Sequence, residues 1–379
     1  MAGLLPDIDP DGLLEYSVVF TDRSLNHMSQ QFQQVMRDIS ANLKQVYHAQ
    51  AVVVVPGGGT FAMEAVARQF AQGKRCLVIR NGWFSFRWTQ IFEMGNIPAS
   101  SIVLQASQVG DYTDPNLAPF APPPIDDVVA TIKAEKPDVV FAPHVETSAG
   151  IILPHDYIKA VAEAVHSVGG LFVLDCIASG TVWVDMGESG VDVLISAPQK
   201  GWSSSPCSGL VMLSERALNT LEATTSSSFA CDLKKWHQIM QAYENGGHAY
   251  HATMPTDALK RFRDTMLESK ALGFDLLRER QLELGNKVRQ LFASHGFQSV
   301  AADGFGAPGV AVFYTDKPEL QMGKPFMEQG LQIAAGVPLQ CNEPESFRTF
   351  RIGLFGMDKL TDVDRTVTTL ETALKAIAH

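Results

Sequence analysis

The sequence predicts an α/β protein: a mostly parallel mixed sheet flanked by helices, with a smaller α+β unit on its C-terminal side. Short apolar runs alternate with amphipathic stretches between about residues 50 and 215. After Pro255 a long helical pattern is followed by short strands. The 379 residues, of which 46% are hydrophobic, are enough for two domains and a large core without disulfide or metal cross-links.

Seven apolar runs in the first part of the chain are predicted strands. They are continuous rather than alternating, which is typical of strands that are covered on both faces. Helical patterns at residues 60–72, 84–94, 125–136 and 156–168 lie between several of them, so the order favours parallel pairing with a ligand site at the carboxyl ends. The runs lie at residues 51–55, 76–79, 101–104, 139–142, 171–175, 191–196 and 209–213.

The C-terminal part has a different pattern. Residues 256–295 predict one long helix, residues 310–314 and 349–353 predict short strands, and residues 361–376 predict a last helix. We therefore expect three segments. Residues 1–45 form an N-terminal arm and helix that joins the small domain, residues 46–255 a large ligand-binding domain, and residues 256–379 a linking helix with the small domain.

Charge and cysteine content exclude several classes of partner. The 30 Lys and Arg against 41 Asp and Glu give a net charge of −11, which argues against a general nucleic-acid binder. Five cysteines without a CxxC pair predict reduced thiols in a cytoplasmic protein. No apolar run approaches the roughly 20 residues of a membrane span, and the acidic, proline-broken N-terminus is unlike a signal peptide. We expect no metal site.

A glycine-rich loop, PGGGT at residues 56–60, separates a predicted strand from a predicted helix. Its glycines allow a ligand to approach the backbone, and the start of the helix offers free N–H groups and a positive dipole end. A phosphate group is the natural ligand, although a plain tight turn has the same composition. The loop matches neither a Walker motif nor the G-x-G-x-x-G fingerprint.

Two charged residues follow neighbouring predicted strands. Asp175 closes the run LFVLD, and Lys200 follows the run VDVLIS. Taken singly, Asp175 is equally well a turn residue and Lys200 a solvated surface lysine. Because the two are one strand–connection–strand unit apart, their strand ends can place both over one site.

Together the loop, the carboxylate and the lysine point to pyridoxal phosphate. This cofactor needs a lysine for its Schiff base, a carboxylate for its pyridine nitrogen and a binding loop for its phosphate. The three features in combination are far more specific than any one of them.

Seven motifs along the chain carry a resemblance to a known family. Their order and spacing resemble those of the class V aminotransferases among the fold-type I pyridoxal-phosphate enzymes, particularly the alanine(serine)–glyoxylate branch. The motifs are GGGTFAMEA (57–65), NGWF (81–84), HVETSAG (144–150), DCIAS (175–179), SAPQKG (196–201), YHATMP (250–255) and FRIGLFG (350–356).

The resemblance implies a role for each matching residue. Lys200 would carry the Schiff base and Asp175 would contact the pyridine nitrogen, so these two are the implied catalytic residues. Ser148 would make a polar contact near the ring oxygen. The remaining implied contacts are the phosphate contacts Gly58, Gly59, Thr60 and Gln199 and the ring-packing residues Phe84, with Trp83 as a competitor, and Ile177.

Three further positions concern the second subunit and the substrate. Tyr250 and Thr253 match phosphate contacts that come from a neighbouring subunit, which implies a homodimer with shared active sites. Arg351 matches the arginine that binds the substrate carboxylate, for which its two-pronged guanidinium is suited.

The sequence departs from the family pattern at two places. Residues 20–27, FTDRSLNH, replace a Gly-Pro-rich turn that touches the substrate, and they add Arg23. Gly58 stands where many relatives have serine, which removes one hydroxyl from the phosphate site.

The resulting prediction is a transaminase for alanine or serine and for glyoxylate or pyruvate. Phosphoserine or aminophosphonate transamination, with Arg23 as a second anion site, is an alternative. A lyase or desulfurase is another, but Gln199 rather than histidine precedes Lys200, and only Cys341 lies in a loop-like stretch. A catalytically silent cofactor-binding protein is a remote alternative.

Overall fold

The computed structural model describes residues 11–110, 112, 114 and 117–377. The prediction that there is no signal peptide rests largely on residues 1–10 and so lies outside the described residues.

Fourteen strands are present in the described part. They are β1 (Ala51–Pro56), β2 (Arg75–Arg80), β3 (Ser100–Gln105), β4 (Ser107–Gln108), β5 (Phe120–Ala121), β6 (Val139–Pro143), β7 (Val145–Glu146), β8 (Ile151–Ile152), β9 (Leu171–Asp175), β10 (Val193–Ser196), β11 (Ser208–Leu213), β12 (Val310–Tyr314), β13 (Ala334–Ala335) and β14 (Thr349–Gly353).

Fourteen helices connect or follow these strands within the described residues. No helix among them is both long and apolar enough to cross a membrane. They are α1 (Gln30–Tyr47), α2 (Gly59–Phe70), α3 (Trp83–Gly95), α4 (Ile125–Glu135), α5 (His155–Ser167), α6 (Met186–Ser189), α7 (Glu215–Ala223), α8 (Leu233–Glu244), α9 (Thr256–Leu272), α10 (Phe274–Ser294), α11 (Pro318–Gln321), α12 (Lys324–Glu328), α13 (Met357–Leu360) and α14 (Val363–Ile377).

The seven predicted strands form one central sheet in the order β1-β11-β10-β9-β6-β2-β3. Strand β11 is antiparallel to both of its neighbours, whereas the pairs from β10 to β3 are parallel. Most of these strands are buried along their whole length, which agrees with their continuous apolar runs. The predicted α/β class with a mostly parallel mixed sheet is confirmed.

The small sheet has the order β12-β14-β13 and is antiparallel. The predicted strands at residues 310–314 and 349–353 are its β12 and β14, so both predictions are confirmed. Within this sheet Arg351 is paired with Val312 on one side and with Ala334 on the other. The last helix, α14, begins two residues later than predicted.

The long helix predicted over residues 256–295 is two helices. The break is at Gly273, whose φ of +98° lies in the region that favours glycine. Leu259 and Phe262 of α9 are buried with the central sheet, whereas Leu284 and Val288 of α10 are buried with the small sheet. The change from one apolar core to the other thus falls near Gly273.

The N-terminal helix also differs from the prediction. Phe32, Val35 and Ile39 of α1 are buried in the apolar cluster of the central sheet, not in that of the small sheet. The amphipathic pattern of α1 predicted that one face is buried but could not show against which partner. The domain boundaries at residues 45 and 255 stay predictions.

Candidate active site

A cavity of about 180 Å³ lies at the carboxyl ends of the parallel strands. Seven predicted site residues line it, which is where the sequence placed the ligand site. Five further lining residues were missed. The lining consists of the predicted Gly59, Thr60, Phe84, Asp175, Ile177, Gln199 and Lys200, and of Met63, Arg87, Val145, Thr147 and Ala178.

A larger cavity of about 910 Å³ lies beside the small sheet. It is lined by residues such as His295, Lys317 and Arg348 and includes none of the predicted site residues. Because the smaller cavity contains a buried carboxylate, a lysine and the start of a helix together, we take it as the candidate active site.

One end of the small cavity is suited to an anion. Helix α2 begins at Gly59, and its N-cap residue Gly58 has no side chain to cap it. The N–H groups of Gly58, Gly59 and Thr60 donate to no acceptor in the described part of the chain. In the same cavity the side-chain oxygen of Gln199 is buried without a partner, and its side-chain N–H₂ makes no hydrogen bond within the described residues, so this amide nitrogen can donate to a ligand. These groups fit a phosphate.

Gly58 and Gly59 differ in whether the surrounding structure has room for a side chain. A Cβ added at Gly59 would lie 2.6 Å from Cδ1 of Ile177, so any side chain there would displace a cavity wall. A Cβ at Gly58 would have no atom within 4 Å, and the φ of −168° is extended. The absence of a serine at position 58 is therefore not imposed by space.

Asp175 is the buried carboxylate of the site. It ends β9, and its Oδ1 accepts a hydrogen bond of 2.9 Å from the N–H of Ile177. Burial raises the pKa of Asp175 to about 7; the Ile177 N–H lowers it, the charge of Glu146 raises it and the charge of Arg87 lowers it. A protonated pyridine nitrogen beside Asp175 would supply a positive charge that favours the ionised carboxylate.

The raised pKa predicts how the stability of the apoprotein depends on pH. Between pH 3.8, the ordinary Asp value, and about 7, folded Asp175 keeps a proton that the unfolded chain releases. The free energy of unfolding should therefore fall as the pH rises, by on the order of 2–3 kcal/mol between about pH 5 and pH 8. Denaturant unfolding of the apoprotein should show this slope, and Asp175→Asn should lack it. Parallel profiles for the two proteins would contradict the assignment.

Lys200 follows β10 and is half-buried. Burial lowers its pKa, and the charges of Arg351 and Arg87 lower it further, which favours the neutral, nucleophilic amine. Its Nζ lies 5.1 Å from the ring centre of Phe355 and makes no hydrogen bond or ion pair within the described residues. Phe355 was not predicted to be at the site, although it belongs to the motif FRIGLFG.

The start of helix α3 is held by a buried glutamate that the sequence analysis did not select. Glu146 is fully buried and accepts hydrogen bonds from the N–H groups of Phe84 and Ser85, from the Ser85 hydroxyl, and from the N–H and hydroxyl of Ser148. The N-cap residue Gly82 has no side chain to do this. Glu146 therefore fixes the backbone from which Phe84 projects.

The same network occupies Ser148. Its hydroxyl donates to Glu146 and accepts from the N–H of Trp83, and its side chain is not part of the cavity wall. The neighbouring Thr147 lines the cavity instead. The predicted contact of Ser148 with a cofactor stays a prediction, and Thr147 is better placed to make it.

Phe84 lines the cavity, whereas its competitor Trp83 does not. Two guanidinium groups face the Phe84 ring: that of Arg87 at 4.8 Å and that of Arg351 at 5.6 Å from the ring centre. Arg351 uses its Nε to donate to the carbonyl of Ala335 at 2.8 Å. Both of its terminal nitrogens have no hydrogen-bond acceptor in the described part of the chain.

Six of the predicted residues are not among the described residues that line the cavity: Gly58, Ser148, Arg351, Tyr250, Thr253 and Arg23. Tyr250 is 53% exposed, and its hydroxyl lies 3.1 Å from that of Thr253, with which it shares the segment between α8 and α9. Arg23 is exposed, and it is not among the described residues that line the cavity.

Comparison with known proteins identifies the family. A family model described as aminotransferase class-V matches residues 13–344, which is most of the chain. The chain belongs to the class-V aminotransferase family. Arg351 lies just beyond the matched residues. The family consists of pyridoxal-phosphate enzymes, so this chain is a pyridoxal-phosphate-dependent aminotransferase.

Proteins with sequences similar to this chain are named for different activities. Over 357 residues the chain is 24% identical to the soluble hydrogenase, small subunit, of a Synechococcus species, covering 93% of this chain and 86% of the relative. It is 26% identical to a 2-aminoethylphosphonate–pyruvate transaminase of Vibrio vulnificus, covering 85% of this chain and 83% of the relative.

A solved structure has the same fold. The alanine–glyoxylate aminotransferase of a Nostoc species superposes with a TM-score of 0.77, covering 93% of this chain and 89% of that chain, at 20% sequence identity. The fold is that of the fold-type I pyridoxal-phosphate aminotransferases, as predicted.

Proposed function

We propose that this aminotransferase moves the amino group of alanine or serine to glyoxylate or pyruvate. The observation that supports this most directly is Arg351, whose terminal nitrogens are free beside Phe84 and Lys200. A guanidinium in this position can hold one carboxylate through two hydrogen bonds.

The residues of the cavity fit pyridoxal phosphate. The N–H groups of Gly58, Gly59 and Thr60 and the amide of Gln199 would hold the phosphate. Phe84 and Ile177 would pack on the two faces of the ring. Thr147 replaces Ser148 as the polar contact of the ring oxygen in this proposal.

When bound, the cofactor supplies an electrophilic carbonyl and an electron-withdrawing ring. Asp175 would keep a proton at the ring nitrogen, which in turn would relieve the burial of its carboxylate. The Nζ of Lys200, with its lowered pKa, would hold the carbonyl until the amino group of the donor displaces it. The released amine would then take up and return the proton at the substrate's α-carbon. Arg351 would orient that carbon by holding the carboxylate.

We also propose a homodimer with shared active sites. Tyr250 and Thr253 present two adjacent hydroxyl groups on the surface, away from the cavity of their own chain, which suits a contribution to a partner's phosphate site. The exposed side chains of Phe61 and Phe229 are further apolar surface that a second copy could cover.

Complementation between subunits tests the shared site. Lys200→Ala and Thr253→Ala subunits should each be weakly active alone but should form one intact site in a heterodimer. Random mixing should then restore up to about a quarter of the wild-type activity, since half of the dimers are mixed and each has one intact site. If each chain supplies its own Thr253, mixing will restore nothing.

Two alternatives concern other substrates. The Vibrio relative is named for 2-aminoethylphosphonate, so an aminophosphonate or phosphoserine donor is the second candidate. A desulfurase is disfavoured, because it needs an exposed thiol. Cys341 is only 4% exposed, its Sγ faces the carbonyl of Arg80, and burial raises its pKa to about 12.

A screen of single half-reactions decides between these donors. Each amino compound is added alone to the holoenzyme, and the loss of the cofactor's visible absorbance is followed together with formation of the oxo product. Alanine and serine should react rapidly, and phosphoserine and 2-aminoethylphosphonate slowly. The opposite order would replace the proposed substrates with the phosphorus-containing ones.

A further inference from the structure

Arg87 is the one arginine in the wall of the cavity as far as the described residues show. It lies one helical turn after Phe84 on α3, so the two side chains share a face, and its guanidinium stacks on the Phe84 ring. Its Nη1 donates to the Thr60 hydroxyl at 3.1 Å, and its other N–H groups have no acceptor in the described part of the chain. None of the functions assigned above uses it.

The bond between Arg87 and Thr60 orients both groups toward the start of helix α2. The Thr60 hydroxyl accepts from Arg87, so its own hydrogen remains available to a ligand. That ligand would lie where the N–H groups of Gly59 and Thr60 are unpaired. A guanidinium, an outward hydroxyl and the unpaired N–H groups thus converge on one end of the cavity.

The charge of a bound phosphate would need a positively charged group at this end of the cavity. A phosphate monoester carries nearly two negative charges at neutral pH, and the start of a helix contributes only about half a positive charge. Lys200 is committed to the cofactor carbonyl and Arg351 to the substrate carboxylate in the proposed function. Arg87 is then the remaining lining residue with a full positive charge.

We propose that Arg87 binds and neutralises the cofactor phosphate through Thr60 and its free N–H groups, thereby compensating for the serine that is absent at position 58. The inference rests on the proposed function, because it leaves Arg351 as the cation for the substrate. The consequence for specificity is that the site favours donors with one anionic group.

The test compares two cofactor forms that differ only in the phosphate. Apoprotein is titrated with pyridoxal phosphate and with pyridoxal, and the Kd of each is measured from absorbance and protein fluorescence. For Arg87→Met we expect the Kd of pyridoxal phosphate to rise about 10- to 100-fold, the usual range for losing a charge-assisted hydrogen bond. The Kd of pyridoxal should change by less than about threefold.

Two further variants make the result interpretable. Arg87→Lys keeps the charge but loses the planar fork, so it should recover part of the phosphate-dependent affinity. Arg68→Met removes an arginine from α2 that pairs with Glu64 outside the cavity, and it should leave both Kd values unchanged.

Two outcomes would overturn the inference. Equal weakening of both cofactor forms would mean that Arg87 acts by supporting Phe84. An unchanged Kd for pyridoxal phosphate, with a selective loss of kcat/KM for phosphoserine or 2-aminoethylphosphonate, would assign Arg87 to a second anion of the substrate. The two Kd values do not depend on which amino donor the half-reaction screen selects, so failure of the proposed function remains distinguishable.

Discussion

Lys200→Ala should reduce kcat with alanine and glyoxylate by at least about 10²–10⁴-fold, the range that a single general acid–base group contributes. The loss should be larger if covalent attachment to the cofactor also matters. The physical reason is the amine itself: it is half-buried, its pKa is lowered, and no hydrogen bond or ion pair within the described residues restrains it. Stopped-flow measurement of the alanine half-reaction isolates this step from product release.

Two controls separate the chemistry of Lys200 from its charge. Lys200→Arg keeps a cation but not the nucleophile and should be as inactive as the alanine variant. Lys375→Ala, on the exposed face of α14, should leave kcat unchanged. Borohydride treatment of the holoenzyme followed by peptide mapping should place the cofactor on Lys200, and a label on another lysine would refute the assignment.

Arg351→Ala should lower kcat/KM for alanine by roughly 30-fold to several thousand-fold. Removing one partner of a charge-assisted pair in a partly dry pocket costs about 2–5 kcal/mol, at about 1.4 kcal/mol per tenfold. The cofactor should stay bound in this variant, because the Arg351 guanidinium is anchored to the carbonyl of Ala335 and is not among the described residues that line the cavity.

The matched control lies three residues earlier. Arg348 binds Gln321 and the carbonyl of Asp316 beside the larger cavity, so Arg348→Ala removes the same charge away from the site. It should change kcat/KM by less than about threefold, which is within the usual effect of an exposed substitution. Wild-type activity of Arg351→Ala on both alanine and glyoxylate would show that another group binds the carboxylate.

Much of the fold could be predicted because its signals are local. Strands such as β6 and β9 are apolar along their whole length, and a strand covered on both faces requires this. The positions of Asp175 and Lys200 followed from the same logic, since the ends of β9 and β10 lie together once those strands pair in parallel. The loop before α2, with its unpaired N–H groups, could be predicted because its run of glycines is visible in the sequence.

Other features depend on contacts between distant segments. The sequence did not distinguish Thr147 from Ser148, because both follow the same short strand. Ser148 is withdrawn from the cavity by Glu146 and by the start of α3, more than 60 residues earlier in the chain. Arg87 was missed for a similar reason. Its position one turn after Phe84 was visible, but its bond to Thr60 was not.

By itself the sequence determined the class of fold, the edge of the sheet that carries the site, and the set of groups that suits a pyridine ring and a phosphate. These depend on periodicity and on residue type, which are properties of short segments. Only the tertiary structure decided which apolar core α1 joins, that the linking helix breaks at Gly273, and which side chains face the cavity. The reason is that an amphipathic pattern specifies a buried face but not its partner, and a motif specifies residues but not the hydrogen bonds that turn them inward or away.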